Sequence, residues 1–147
     1  MHAGTRLFSG GNIMNFAVNY LAVIVSAIAG MALNALWYTV IFKRQVDGLR
    51  AGDPTISGRA PAPQMYPLAL AGQVLMAFVL AVVLKTTGQT GALAGAVLGA
   101  LLWLGFTINS MAQIQTFGYR KPGFIAVDGS NWLAAAVLMG IILGVWS

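Results

Sequence analysis

The sequence predicts an all-α protein that crosses a membrane four times. Of its 147 residues, 59% are hydrophobic and 7% are charged, whereas a soluble domain carries about 25% charged residues. The apolar residues fall in four runs, at about 16–42, 66–84, 91–114 and 124–146. Each run can cross a hydrocarbon layer of about 30 Å as a helix, and none has the alternation of a barrel strand. We therefore expect an integral membrane four-helix bundle.

Two segments are expected along the chain. Residues 1–15 are rich in glycine and polar residues, so we expect them to be poorly ordered, and residues 16–146 to form one four-span membrane domain. Translation from Met1 and translation from Met14 both fit the sequence. The first run is much longer than the apolar core of a secretory signal, so we expect it to remain as a span.

The distribution of positive charge predicts the orientation of the spans. Four crossings place the loops 43–65 and 115–123 on one side of the membrane and both termini on the other. Most of the cations lie in these two loops, and they are Lys43, Arg44, Arg50, Arg59, Arg120 and Lys121; the opposite side has Arg6 and Lys85. Cytoplasmic loops carry an excess of Lys and Arg. We therefore expect a multi-pass membrane protein with both termini on the non-cytoplasmic side.

Aromatic and basic residues near the ends of the runs are expected to anchor the spans at the membrane surface. The predicted anchors are Tyr20, Trp37, Lys43, Arg44, Arg120 and Lys121. For the aromatic residues, the alternative is a wall that contacts a bound chain or ring system. In the first loop, Asp53-Pro54 and the Ala-Pro repeat at 60–63 oppose a continuous helix. We expect a solvated turn there, with a partner-docking loop as the alternative.

The inventory of reactive side chains excludes most enzymatic chemistry. The chain has no cysteine and no glutamate, its acids are Asp47, Asp53 and Asp128, and its one histidine is His2. Metal clusters and catalytic triads therefore lack their parts. The cations form no long basic stripe of the kind that binds nucleic acid. We expect a protein that is not an enzyme, without catalytic residues, metal, cofactor or nucleic-acid partner.

Small residues at four-residue spacing predict where the helices pack, because close approach drives helix association in lipid. The glycines of these rows are Gly30, Gly91, Gly95, Gly99, Gly140 and Gly144. A hinge or pore lining is the alternative interpretation. In addition, ALWYTVIF at 35–42 and LLWLGFTI at 101–108 align loosely, which would also fit an internal duplication.

Polar residues concentrate in the predicted cytoplasmic half of all four runs. The candidate polar layer or ligand site consists of Asn34, Tyr38, Gln73, Asn109, Gln113, Asp128 and Asn131. Unpaired amides are costly in hydrocarbon, so we expect these groups to face the bundle interior. They either hydrogen-bond between helices or line a vestibule that is open to the cytoplasm. Asp128 either stabilises the start of the fourth helix or titrates and binds a cation.

Several stretches resemble a known family. NYLAVIVSAIAGMALNALWY at 19–38, LLWLGF at 101–106 and AVDGSNWLAAAVLMGIILGVW at 126–146 are similar to the bacterial membrane-protein family called domain of unknown function 1761. The Trp-Tyr pair of that family corresponds to Trp37 and Tyr38, and its acid at the start of the last span corresponds to Asp128. The resemblance implies a small multi-pass protein of the bacterial inner (plasma) membrane and supplies no activity.

Two functions fit these features. The first is a non-enzymatic packing or accessory subunit of a membrane assembly, either a homo-oligomer or part of a larger complex in the lipid bilayer. The alternative is a small oligomeric transporter, or a ligand- or lipid-binding module, with a cytoplasm-facing polar vestibule. An enzyme that acts on lipid ranks last, because Ser110, Ser130 and Asp128 have no histidine or cysteine to activate them.

Overall fold

A computed structural model describes residues 18–52, 62–118 and 121–146, and these residues form helices and no strands. Four helices are long and apolar enough to cross a membrane: Tyr20–Ile41, Met65–Thr86, Ala92–Phe117 and Pro122–Trp146. The predicted all-α, four-span class is therefore confirmed. The expected poorly ordered segment 1–15 and the predicted anchor Arg120 lie outside the described residues. The orientation of the termini in the membrane stays a prediction.

The first span is not one regular helix. It begins at α1 (Tyr20–Leu36), where the Asn19 side chain accepts a hydrogen bond of 3.2 Å from the backbone N–H of Ala22. It continues as a wider π-helical turn, Trp37–Ile41, and is interrupted at Phe42. The Phe42 ring stacks on the Trp37 ring with centroids 4.9 Å apart. Asn19 thus caps one end of the span, and the Trp37–Phe42 ring pair lies at the other.

A helix occupies the start of the loop that was expected to be a solvated turn. Residues Lys43–Ala51 form α2, in which Val46 is buried and Leu49 lies against Gly123 at the start of the fourth span. Lys43 and Asp47 form an ion pair of 2.6 Å one turn apart on its exposed side. The expectation of a turn is therefore wrong for 43–51. Val46 and Leu49 are three residues apart and share one side of the helix, which packs against the rest of the bundle.

The second span is a single helix, α3 (Met65–Thr86), whereas the third is again interrupted. It consists of α4 (Ala92–Leu102), a π-helical turn at Trp103–Thr107 and α5 (Ile108–Phe117). The fourth span is α6 (Pro122–Trp146). Proline suits the first turn of a helix because its missing N–H would be unpaired there in any case. Observed span ends fall within a few residues of the predicted ones.

Helix α6 lies at the centre of the arrangement and contacts α1, α3, α4 and α5. The buried apolar core lies among α1, α3 and α6, and it comprises Ala22, Val23, Ala27, Ala77, Leu80, Ala81, Leu84, Met139 and Leu143. In the most apolar stretch of each span, 39% of the residues are buried in α6 but only 11% in the third span. The third span therefore packs mainly on α6 and leaves most of its surface uncovered.

Glycines bring α4 and α6 into backbone contact. A Cβ on Gly95 would overlap the carbonyl oxygen of Gly140, and one on Gly99 would overlap that of Ala136. The reverse contact also holds, because a Cβ on Gly140 would overlap the carbonyl oxygen of Gly95. Close approach of this kind maximises dispersion contacts between helices in lipid.

Gly91 and Gly30 play different parts in the packing. Gly91 precedes α4 with φ of 93°, a left-handed conformation that favours glycine. Its N–H donates a hydrogen bond of 2.7 Å to the carbonyl of Gly144, which ties the start of α4 to the end of α6. Gly30 instead lies against Met139 and the Gln73 side chain. The predicted glycine rows thus lie at two different helix contacts, α4 with α6 and α1 with α3 and α6.

Candidate polar site

The Asp128 carboxylate, near the start of α6, accepts hydrogen bonds from two other spans. The Tyr38 hydroxyl donates to its Oδ1 at 2.9 Å, and Nε2 of Gln115 donates to its Oδ2 at 3.2 Å. Nδ2 of Asn131, one turn further along α6, donates to the Tyr38 hydroxyl at 3.4 Å. We call Tyr38, Gln115, Asp128 and Asn131 the Asp128 cluster. It joins the first, third and fourth spans through side chains alone.

Two tryptophans hold the backbone of α6 on either side of Asp128. The indole N–H of Trp37 donates to the carbonyl of Val127 at 3.2 Å, and that of Trp103 donates to the carbonyl of Gly129 at 2.8 Å. Each tryptophan is the first residue of a π-helical turn. The octets at 35–42 and 101–108 therefore share a local structure as well as a loose sequence similarity. Such turns within α-helices are frequent at functional sites.

The structure does not bring Asn109 and Gln113 to the Asp128 cluster. Both side chains are exposed, and Nε2 of Gln113 donates to Oδ1 of Asn109 at 3.1 Å. A π-helical turn holds about one residue more than an α-helical turn, so it rotates the side chains beyond it by about 100°. The turn at Trp103–Thr107 thereby directs Gln115 inward and Gln113 outward. The expectation that all these amides face the interior is wrong for this pair.

Sequence reasoning missed two members of this region. Gln115 lies one residue beyond the predicted end of the third run, within the predicted loop 115–123. Trp103 resembles an ordinary apolar residue of its run, and only its position in the octet, equivalent to that of Trp37, could have indicated its role. Trp37 was predicted as a surface anchor, but its indole N–H bonds to α6.

Among the residues that the structure describes, five buried side-chain oxygens have no hydrogen-bond partner. They are Oγ of Ser26, Oδ1 of Asn34, Oε1 of Gln73, Oε1 of Gln115 and Oδ1 of Asn131. Ser26, Gly30, Asn34 and Tyr38 succeed one another at four-residue spacing on one side of the first span, and the Gln73 amide lies against Gly30. Buried acceptors normally have partners. This interior is therefore chemically suited to a guest that donates hydrogen bonds or carries positive charge.

The remaining predicted anchors lie at the surface of the bundle. Tyr20 is 65% exposed at the start of the first span. Lys43, Arg44 and Lys121 are exposed, and the end of the Lys121 side chain lies against Gly52 after α2. Lys121 and α2 are therefore at the same end of the bundle, the end that holds the Asp128 cluster.

The described residues contain no group of three or more His, Cys, Asp or Glu side chains that could hold a metal ion. A groove of about 380 Å³ lies beside the Asp128 cluster, and it is lined by Met76, Thr107, Ser110, Met111, Ile114, Gln115 and Trp132. The lining is mostly apolar. Gln115 therefore connects the carboxylate to a surface that an amphipathic molecule can reach.

These features define a small multi-pass helical membrane protein with a polar cluster at one end of its central helix. The family model described as "Protein of unknown function (DUF1761)" matches residues 21–144, and the chain belongs to that family. The matched range includes every residue of the Asp128 cluster and both π-helical turns. Neither a curated protein nor a solved structure matches the chain significantly.

Proposed function

We propose that the protein is a non-enzymatic subunit of a membrane assembly, and that its third span contacts the partner. The observation that carries this proposal is the exposed amide pair, Asn109 and Gln113, on the least buried of the four spans. The first partner to test is a second copy of this chain, because the amide pair is chemically self-complementary.

The exposed surface of the third span is continuous. One row of its residues at four-residue spacing is exposed along the whole span. The residues of this row are Leu93, Val97, Leu101, Gly105, Asn109, Gln113 and Phe117. No heavy atom lies within 4 Å of the position that a Cβ on Gly105 would take. We call this row the outer ridge. Its first half is apolar, and its second half combines a gap at Gly105 with two amides.

An amide that faces lipid retains hydrogen-bonding groups that hydrocarbon cannot satisfy. The bond between Gln113 and Asn109 uses one N–H and one acceptor site, whereas each amide has two N–H groups and an oxygen with two lone pairs. A second copy related by two-fold symmetry would present the same donors and acceptors to this pair. Interhelical bonds of this kind contribute about 0.6 to 2 kcal/mol each in membranes.

The test is the oligomeric state in lipid nanodiscs and mild detergent, measured by native mass spectrometry. Gln113→Leu should weaken association, since a symmetric contact loses the bond twice, and a loss of about 1.2 kcal/mol raises the dissociation constant about sevenfold. Thr39→Val is the matched control, because Thr39 is exposed on the first span and its hydroxyl bonds only to the Ala35 carbonyl of its own helix, at 2.6 Å. A protein that is monomeric and captures no partner would refute the proposal.

A ligand-binding module or small transporter is a second candidate, and the Asp128 cluster favours it. The cluster combines a carboxylate with buried oxygens that have no partner, beside an accessible groove. Asp128→Leu or Asn34→Leu should then abolish ligand binding or transport in protein that still folds into the helical bundle. If the loss of binding or transport is matched by an equal loss of thermal stability, these groups only join the helices.

We also propose that the end of the bundle with α2 faces the cytoplasm of a bacterium. Lys43, Arg44, Arg50 and Lys121 belong to this end, and Lys85 lies near the opposite end of the second span. An accessible tag placed after Gly52 should be labelled from the cytoplasmic side only. Labelling from outside the cell would show that the orientation is the reverse of the proposed one.

A further inference from the structure

We infer that the protein binds a monovalent cation at the Asp128 cluster, with the carboxylate as its counter-charge. The ligands would be the Asp128 carboxylate, the Tyr38 hydroxyl and the amide oxygens of Gln115 and Asn131. This inference rests on the ligand-binding function given above as the second candidate, and it names the ligand.

The charge of the cluster is the first argument. Asp128 is half-buried within a membrane span, and the groups that donate to it, Tyr38 and Gln115, are neutral. The described residues contain one ion pair, between Lys43 and Asp47, and it lies on the exposed side of α2. Carboxylates inside a membrane pair with a cation or mark an ion pathway. The exposed guanidinium of Arg50 on α2 interacts electrostatically with Tyr38, but among the described residues no cationic side chain forms an ion pair with Asp128. A bound cation would give the carboxylate a counter-charge in direct contact.

The unpartnered oxygens are the second argument. Gln115 is 9% exposed and Asn131 is 1% exposed, yet Oε1 of the first and Oδ1 of the second have no partner. The nitrogen of each amide is held by the cluster, at Asp128 and at the Tyr38 hydroxyl respectively. Each unpartnered oxygen therefore belongs to an amide group whose nitrogen is already bonded to the carboxylate or to the hydroxyl. Leaving such acceptors unpaired is costly, and a cation satisfies several of them together.

The set of ligands indicates that the bound cation carries a single positive charge. It contains one carboxylate and otherwise neutral oxygens, without nitrogen or sulfur ligands. Transition metals favour imidazole and thiolate, and calcium sites usually combine several carboxylates. Oδ1 of Asn34, also buried and unpartnered, lies one turn before Tyr38 on the first span. Its position adds a further neutral oxygen on the membrane side of the cluster.

Tryptophan fluorescence can report the binding, because Trp37 and Trp103 bond to the carbonyls on either side of Asp128. The full chain in lipid nanodiscs would be titrated with NaCl or KCl at constant pH, with choline chloride keeping the ionic strength constant. We expect a saturable change with Na⁺ or K⁺ and none with choline. The thermal midpoint should rise over the same concentrations, since a ligand of the folded state stabilises it.

Asp128→Asn should remove the saturable change. Tyr38→Phe keeps the ring and removes one ligand that also orients the carboxylate, so it should weaken the apparent affinity by about tenfold or more. Tyr38→Phe also keeps the test decisive if Asp128→Asn fails to fold. Asp47→Asn is the matched control, because it removes a carboxylate from an exposed ion pair outside the spans and should leave the titration unchanged.

Three outcomes would overturn the inference. The first is an equal response to choline and to the metal ions, and the second is a response that depends on pH and not on the metal, which would assign a proton to Asp128. The third is a titration that Tyr38→Phe and Asp128→Asn leave unchanged. If Asp128→Leu abolishes another ligand's binding while no cation response exists, only the cation inference fails. If Asp128→Leu merely lowers stability, the ligand-binding function fails with it.

Discussion

Replacing Gly95 with alanine should destabilise the bundle, because the new methyl group would meet the backbone of α6. A Cβ at this position would overlap the carbonyl oxygen and carbon of Gly140, and neither atom can move aside as a flexible side chain could. The helices must therefore separate. Overpacking of this kind costs about 1 to 3 kcal/mol.

Two further terms modify that cost. Separation of the helices would strain the hydrogen bond of 2.7 Å from the Gly91 N–H to the Gly144 carbonyl, which contributes about 0.5 to 1.5 kcal/mol. Alanine in place of a helical glycine returns about 0.5 to 1 kcal/mol. The net expected loss is about 1 to 3 kcal/mol in the free energy of unfolding.

The measurement is unfolding by SDS in mixed micelles, followed by far-UV circular dichroism. Gly72→Ala is the matched control, because Gly72 lies inside α3 and no heavy atom lies within 4 Å of its Cβ position. Gly72→Ala should leave the free energy of unfolding unchanged or raise it slightly relative to the wild-type protein. Equal stability of Gly95→Ala and Gly72→Ala would refute the backbone contact between α4 and α6.

Three further substitutions test the polar interior by the same assay. Tyr38→Phe removes the donor to Asp128 and should cost about 1.5 to 3 kcal/mol, since the acceptor is charged; a cost below the assay error would contradict that bond. Trp103→Phe removes the donor to the Gly129 carbonyl and should cost about 1 kcal/mol or more in lost bonding and packing, and wild-type stability would show that the indole is not held there. Gln73→Leu should have the opposite sign and stabilise by about 1 kcal/mol or more, because it removes a buried oxygen without a partner. A loss of stability in Gln73→Leu would mean that this oxygen is paired.

Much of the architecture was predictable because it depends on composition along the chain. Four apolar runs separated by charged or Gly- and Pro-containing segments suffice to predict four helices in a bilayer, since lipid leaves the backbone no other partner. The glycines at 91, 95 and 99 and at 140 and 144 fall at a four-residue spacing that any helix would place in a row. Local spacing determined these features, and the structure shows the rows at helix contacts.

The polar site depended on information that local spacing does not contain. A regular helix would place Asn109 and Gln113 together on one side of the third span, and nothing in their spacing shows which side faces α6. The π-helical turn at Trp103–Thr107 rotates the helix beyond it, so Gln115 reaches Asp128 and Gln113 faces outward. The sequence by itself determined the number of spans, the family and the presence of polar residues in them. Only the tertiary structure decided which of these residues meet, because a change of about one residue in a single helical turn redirects every side chain after it.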